Sequence, residues 1–147
     1  MSEVIPIAAD HAGFELKQRL IETLRSHGYE PLDLGTHSPE SVDYPDFAHA
    51  VASMVEHHEA ARGVLLCGTG LGMAYAANRH PGVRAAVVWS PEIARLARLH
   101  NDANVLILPA RFVGEDEAVE ILKTWLTTPF EGGRHQRRLQ KIEPMKG

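Results

Sequence analysis

Cys67-Gly68-Thr69-Gly70-Leu71-Gly72 places the only cysteine of the chain directly before a loop with three glycines in five residues. Glycines let backbone approach a ligand closely, and amides at the start of a helix attract anions. Such a loop holds a phosphate, or an oxyanion that develops during a reaction. A thiol at a helix N-terminus is drawn toward the thiolate, and a thiolate there can take a carbon-bound proton beside a carbonyl. Two plainer readings compete. A cysteine ending an apolar strand is often an inert core residue. The loop is also reminiscent of a dinucleotide turn, but the fit is poor. The sixth position is Met73 counted from Gly68 and Tyr75 counted from Gly70, and no acid follows at Val87-Val88-Trp89.

Other reactive side chains fall at element ends. Asp10-His11-Ala12-Gly13 closes the first apolar run. A capping carboxylate with a solvated neighbour is the simple alternative there. His100-Asn101-Asp102 follows a helix, where an imidazole also complements the helix dipole. Arg111 follows an apolar run at Val105–Leu108. Arg134 and Arg138 are four residues apart, hence on one helical face, and guanidinium groups grip a phosphate dianion in a bidentate manner; simple solvent exposure is the alternative. His37, His49, His57 and His58 lack paired ligand spacing and read as surface residues. No ligand cluster of convincing spacing points to a metal, so neither metal nor cofactor is expected.

The elements that carry these residues alternate. Val4–Ala9 reads as a strand and Phe14–His27 as a helix, with apolar residues three and four apart and Gly28 as its stop. Leu32–Leu34 is a weak strand, Thr36–Asp46 a loop, and Phe47–His58 a helix. Val64–Cys67 is a continuously apolar strand, and Met73–Asn78 a helix. Ala85–Trp89 is the fourth strand, and Pro91–Leu99 a helix with proline in its first turn. Val105–Leu108 is the fifth strand, followed by a helix over Glu115–Leu126. Strands that are apolar throughout are covered on both faces, and strand–helix alternation predicts right-handed βαβ units. The expected fold is therefore α/β, a three-layer α/β/α Rossmann-like domain with about five parallel strands. Ligands are expected beyond the carboxyl ends of the strands. A basic tail helix over about 132–143 has few apolar residues, so docking on a partner subunit is expected.

Composition bounds the function. The 147 residues suggest one domain, 1–147, large enough to bury a core without staples. A net charge of −4 with 23% charged residues offers no bulk attraction to nucleic acid or an anionic membrane. One cysteine forms no intrachain disulfide and suits a reducing compartment. No apolar run approaches a membrane span, and Met1-Ser2-Glu3 lacks signal-peptide features, so the expected location is cytoplasmic.

Taken together, Asp10–Phe14, Asp43-Tyr44-Pro45, Cys67–Gly72, Ala76-Ala77-Asn78, His100–Val105 and Glu131–Gln136, in this order, resemble the type B ribose-5-phosphate isomerase family, which also contains galactose-6-phosphate isomerase subunits. The resemblance runs essentially end to end. It implies that Cys67 is the base moving a proton between C1 and C2 of an aldose phosphate through an enediolate. It implies an amide cradle at Gly68, Gly70, Leu71 and Gly72, with the Thr69 hydroxyl near the reacting oxygens. His100 resembles the residue that opens the sugar ring, with Asp43 assisting. Asp10 and Asn101 resemble hydroxyl ligands, and His11, Arg111, Arg134 and Arg138 the phosphate grip. It further implies a homodimer or dimer of dimers with the site at the subunit interface. One family branch replaces the cysteine by a glutamate in the glycine loop. Met73 stands there, which places this chain in the cysteine branch. Ribose 5-phosphate and ribulose 5-phosphate are the leading pair. Allose 6-phosphate, galactose 6-phosphate or a tetrose phosphate, and a non-catalytic sugar-phosphate sensor, are the alternatives.

Overall fold

The computed structural model describes residues 2–144; the ends of the expected domain, 1 and 145–147, lie outside the described residues. Five parallel strands form one sheet: β1 (Val4–Ala9), β2 (Glu30–Asp33), β3 (Gly63–Cys67), β4 (Ala85–Val87) and β5 (Val105–Pro109), in the spatial order β2-β1-β3-β5-β4. The helices are α1 (Phe14–Ser26), α2 (Tyr44–Glu56), α3 (Leu71–Ala77), α4 (Pro91–Leu99), α5 (Glu115–Thr127) and α6 (Arg134–Leu139).

Two cores explain the three layers. On one face Ile5, Ile7, Ala9, Val64, Leu66, Leu106 and Leu108 pack against α1, α4 and α5. On the other, Ala8, Leu65, Cys67, Val105 and Ile107 pack against α2 and α3. Alternate residues of each strand serve opposite faces. That is why β1, β3 and β5 read as unbroken apolar runs.

Element bounds shift where local chemistry differs from the expected pattern. Helix α2 begins at Tyr44 rather than Phe47, because Pro45 suits the first turn. Helix α3 begins at Leu71 rather than Met73, directly after Gly70. Strand β2 covers Glu30–Asp33 rather than Leu32–Leu34, set by its register with Val4–Ile7 of β1. Strand β4 stops at Val87, and Trp89 turns outward, 56% exposed. The tail helix spans only Arg134–Leu139 instead of about 132–143, since the backbone at Gly132 and Gly133 has φ of 77° and 60°. Helix α6 is anchored on its own chain through the buried His135, while Arg134, Arg137 and Arg138 stay exposed.

One buried charge ties α1 to β2. Lys17 is fully buried, and its Nζ donates to Asp33 Oδ1 at 2.6 Å. Partial burial alone would raise the Asp33 carboxyl. The hydrogen bonds from Lys17 and the Gly35 amide, with the Lys17 charge, outweigh that and hold it below the usual carboxylate range. A depressed folded pKa means stabilisation that is present above the unfolded value of about 3.9 and is lost as pH falls through the folded value. Asp33→Asn is expected to cost about 3 kcal/mol at neutral pH, the low end for an orphaned buried ion because the Asp33 side chain is 30% exposed. Urea melts as a function of pH check this. The variant should show a flatter loss of stability below about pH 4 than the parent.

Candidate active site

The chain leaves β1 toward the face carrying α1 and leaves β3 toward the face carrying α3. Adjacent strands whose connections diverge open a crevice at their carboxyl ends, where ligands of open α/β sheets bind. Asp10 and Cys67 are the residues at that crevice. The Asp10 amide continues the ladder to Leu66 O at 3.1 Å. Its carboxylate, 7% exposed, accepts the Ala12 and Gly13 amides on Oδ1 at 2.9 and 3.3 Å. The capping alternative thus accounts for that oxygen. His11 Nδ1 accepts the Val42 amide at 3.2 Å, which pins the loop bearing Asp43 beside the end of β1. With Nδ1 accepting, a neutral His11 carries its proton on Nε2. Asp43 stands at the N-cap of α2, exposed, with no side-chain capping bond.

Cys67 is 5% exposed, and its Sγ accepts the Gly70 amide at 3.1 Å. The Met73 and Thr69 amides also face the sulfur. Burial pushes the thiol above its ordinary value. Those amides pull it down without cancelling the effect, and the nearby Asp10 carboxylate raises it further. The expectation that a helix N-terminus would draw Cys67 toward the thiolate is therefore corrected for the chain alone: desolvation outweighs the amides of the short α3.

The loop shape follows from its glycines. Gly70 has φ of 80°, a region open mainly to glycine, and this turn aims its amide at the sulfur. Thr69 Oγ1 accepts the Leu71 amide at 3.2 Å. A methyl group at Gly72 would collide with the Tyr44 ring, so the loop lies flat against that phenol. The Arg111 amide donates to Gly68 O at 3.1 Å, and its guanidinium lies over Gly68. Asp10, His11, Asp43, Cys67, Gly68, Thr69, Gly70, Leu71, Gly72 and Arg111 thus share the carboxyl edge of the sheet.

His100, Asn101, Arg134 and Arg138 do not. Helix α4 carries the chain back to the amino edge, where the Asn104 amide meets Arg84 O just before β4 and β5 begin. His100 caps α4, and the Glu131 amide donates to Leu99 O at 3.0 Å, bringing the tail alongside. The His100 and His135 rings stack at 4.4 Å and 16°, with Glu131 Oε2 3.9 Å from His100 Nε2. Arg134 and Arg138 project from α6, exposed. His135 is the functional candidate that the sequence reading passed over. A contact between α6 and the end of α4 has no signature in periodicity.

His100, Glu131 and His135 offer ligand atoms within 4.8 Å of one another. They do not form a chelating site as arranged. A metal binds in the plane of an imidazole, and an ion in the plane of one stacked ring lies out of the plane of the other. A cavity of about 600 Å³ also opens at the amino edge, lined by Glu3, Arg62, Arg84, Arg98 and Asp102 among others. Its guanidinium groups are already engaged, Arg62 by Glu3 and both Arg84 and Arg98 by Asp102. It therefore offers no free anion grip.

A profile of the ribose/galactose isomerase family matches residues 5–142. Ribose-5-phosphate isomerase B of Escherichia coli K12 is 45% identical over 138 residues, covering 94% of this chain and 93% of that one. The crystal structure of a ribose 5-phosphate isomerase from Thermotoga maritima superposes with a TM-score of 0.95 at 52% identity, covering 99% and 100% of the two chains. Ribose-5-phosphate isomerase B from Mycoplasma genitalium, solved with bound ribulose 5-phosphate, gives 0.93 at 46% identity, covering 97% and 95%.

Proposed function

The chain belongs to the ribose/galactose isomerase family, and from that premise we propose that it interconverts ribose 5-phosphate and ribulose 5-phosphate as a homodimer, each 1–147 chain acting as one domain. The observation that carries the chemistry is the Cys67 sulfur, set among main-chain amides at the divergence of β1 and β3 and flanked by Asp10 and Arg111.

The steps follow from the groups at that edge. His100 moves a proton to the ring oxygen as the furanose opens, with Asp43 assisting. The Cys67 thiolate removes the proton on C2, and the C–H electron pair becomes the C1–C2 double bond as charge moves onto O1. Amides of Gly68, Gly70, Leu71 and Gly72 stabilise that oxyanion, where one lost donor typically costs about 3–4 kcal/mol. The Thr69 hydroxyl relays the proton from O2 to O1, and the Cys67 thiol returns its proton to C1. Asp10 and Asn101 bind sugar hydroxyls. His11, Arg111, Arg134 and Arg138 hold the phosphate, whose binding energy orients the reacting carbons.

A homodimer is needed because the two halves of this set stand at opposite edges of one sheet. A second copy supplies His100, Asn101, Arg134 and Arg138 to the crevice at Cys67. Leu71, Tyr75, Trp89 and Phe112 are between 54% and 72% exposed around the carboxyl edge, an apolar rim of the kind that subunit contacts cover. Among the described residues no helix is long and apolar enough to cross a membrane, and the cytoplasm is the proposed location.

The test is isomerisation of ribose 5-phosphate in deuterated water, with allose 6-phosphate, galactose 6-phosphate and a tetrose phosphate in parallel. Deuterium should enter the ribulose 5-phosphate formed. Binding without exchange would support a sensor, and a preference for another sugar would displace ribose. The pH profile adds a sign. A base with a raised pKa is protonated over more of the pH range, so kcat/KM should climb through the ordinary thiol value of about 8.5 and beyond. A plateau already reached below about pH 7 would count against Cys67 as the base.

A further inference from the structure

His135 has no role in the steps above, yet it is the most completely enclosed of the tail's described side chains. It is 6% exposed on a helix whose other residues are largely in water. Its Nε2 has no hydrogen-bond partner among the described residues. Its ring lies nearly parallel to that of His100, 4.4 Å away. His100 itself is held loosely otherwise: it is half-buried at the end of α4, with Glu131 Oε2 at 3.9 Å, too far for a hydrogen bond. An imidazole in that setting has a freely turning ring unless a neighbour fixes its plane. Among the described residues, the one aromatic face stacked on it is that of His135.

We propose that His135 is a positioning residue, whose enclosed ring fixes the plane of His100 by stacking and so aims the His100 nitrogen at the sugar held by the partner subunit. The proposal rests on the reading that His100 acts in ring opening. The groups facing His135 fit a ring that does not carry the proton. Desolvation first, then the Arg134, His100 and Arg138 charges, hold it below the ordinary imidazole range, opposed only by Glu131. Burial and these charges thus favour the neutral form of His135, and a neutral ring adds no charge to the stacked contact. Among the described residues His135 makes no hydrogen bond through Nε2. The ring face, and not the ring edge, makes the contact.

Stacking and hydrogen bonding separate in two variants. His135→Phe keeps a flat ring of similar size and removes the unpartnered nitrogen; His135→Ala removes the face. On ribose 5-phosphate the alanine variant should lose about tenfold in kcat with KM within about twofold. The phenylalanine variant should retain most of the parent kcat. Histidine NMR on the same proteins should show the His100 ring signals displaced in the alanine variant and little moved in the phenylalanine one. An unchanged kcat in His135→Ala overturns the proposal. So does a phenylalanine variant that loses kcat or raises KM, which would make the nitrogen a substrate ligand instead. If the alanine variant does not fold, the phenylalanine variant still decides. His100→Ala separates the two readings: full turnover there sinks the ring-opening role, whereas lost turnover beside an unaffected His135→Ala sinks only the positioning role.

Discussion

Chains carrying Cys67→Ala and chains carrying His100→Ala, each nearly inactive alone, should regain about a quarter of parental turnover when unfolded and refolded together in equal amounts. The expectation follows from where the two side chains stand. Cys67 ends a strand and His100 ends a helix, so they occupy opposite edges of the same sheet. In a twofold dimer each crevice then pairs Cys67 of one copy with His100 of the other. A mixed dimer has one crevice with both groups intact and one with neither. Random pairing makes about half of the dimers mixed, and half of their crevices work. Ketose formation measured before and after co-refolding checks this. No recovery above the sum of the separate variants would mean that the halves do not meet across an interface.

Cys67→Ala alone should lower kcat by about 10³-fold, within the range of a positioned general base. The fold should survive. The sulfur is small, packs in the core beneath α2 and α3, and accepts the Gly70 amide, with the Met73 and Thr69 amides nearby. A stability loss of about 1 kcal/mol is expected, typical of a modest core truncation. KM should change little, because in the proposed steps the phosphate is held by His11 and the arginines rather than by the sulfur. Kinetics with ribose 5-phosphate, paired with a thermal melt, separates loss of chemistry from loss of fold. A variant with undiminished kcat would remove the thiol from the mechanism and leave the amide loop as a binding device.

The strands and most helices were readable because their apolar residues have only one physical solution. Val4–Ala9 and Pro91–Leu99 have the bounds expected. The first is apolar throughout, and the second is framed by Ser90, whose hydroxyl caps Ile93, and by Pro91. Starts set by a loop rather than by periodicity moved, as at Tyr44 and Leu71. The carboxyl-edge half of the site was legible for the same reason as the strands: a polar residue ending an apolar run in a parallel sheet must face the crevice. Placement of His100 across the sheet also follows from chain direction, since a helix linking two parallel strands returns the chain to the amino edge. The His100–His135 stack was not legible, because a ring contact between a short tail helix and the end of α4 depends on tertiary approach alone. Nor was the raised thiol of Cys67. A glycine-rich loop advertises its amides, but not how far the sulfur is withdrawn from water.

The meeting of Gly72 with Tyr44 has an evolutionary side. With the phenol seated where a β-carbon would go, neither position drifts freely. A larger residue at 72 becomes tolerable only after the aromatic at 44 has shrunk or swung away, and either change reshapes the glycine loop beside Cys67. Across diverging lineages the two sites should therefore change in concert.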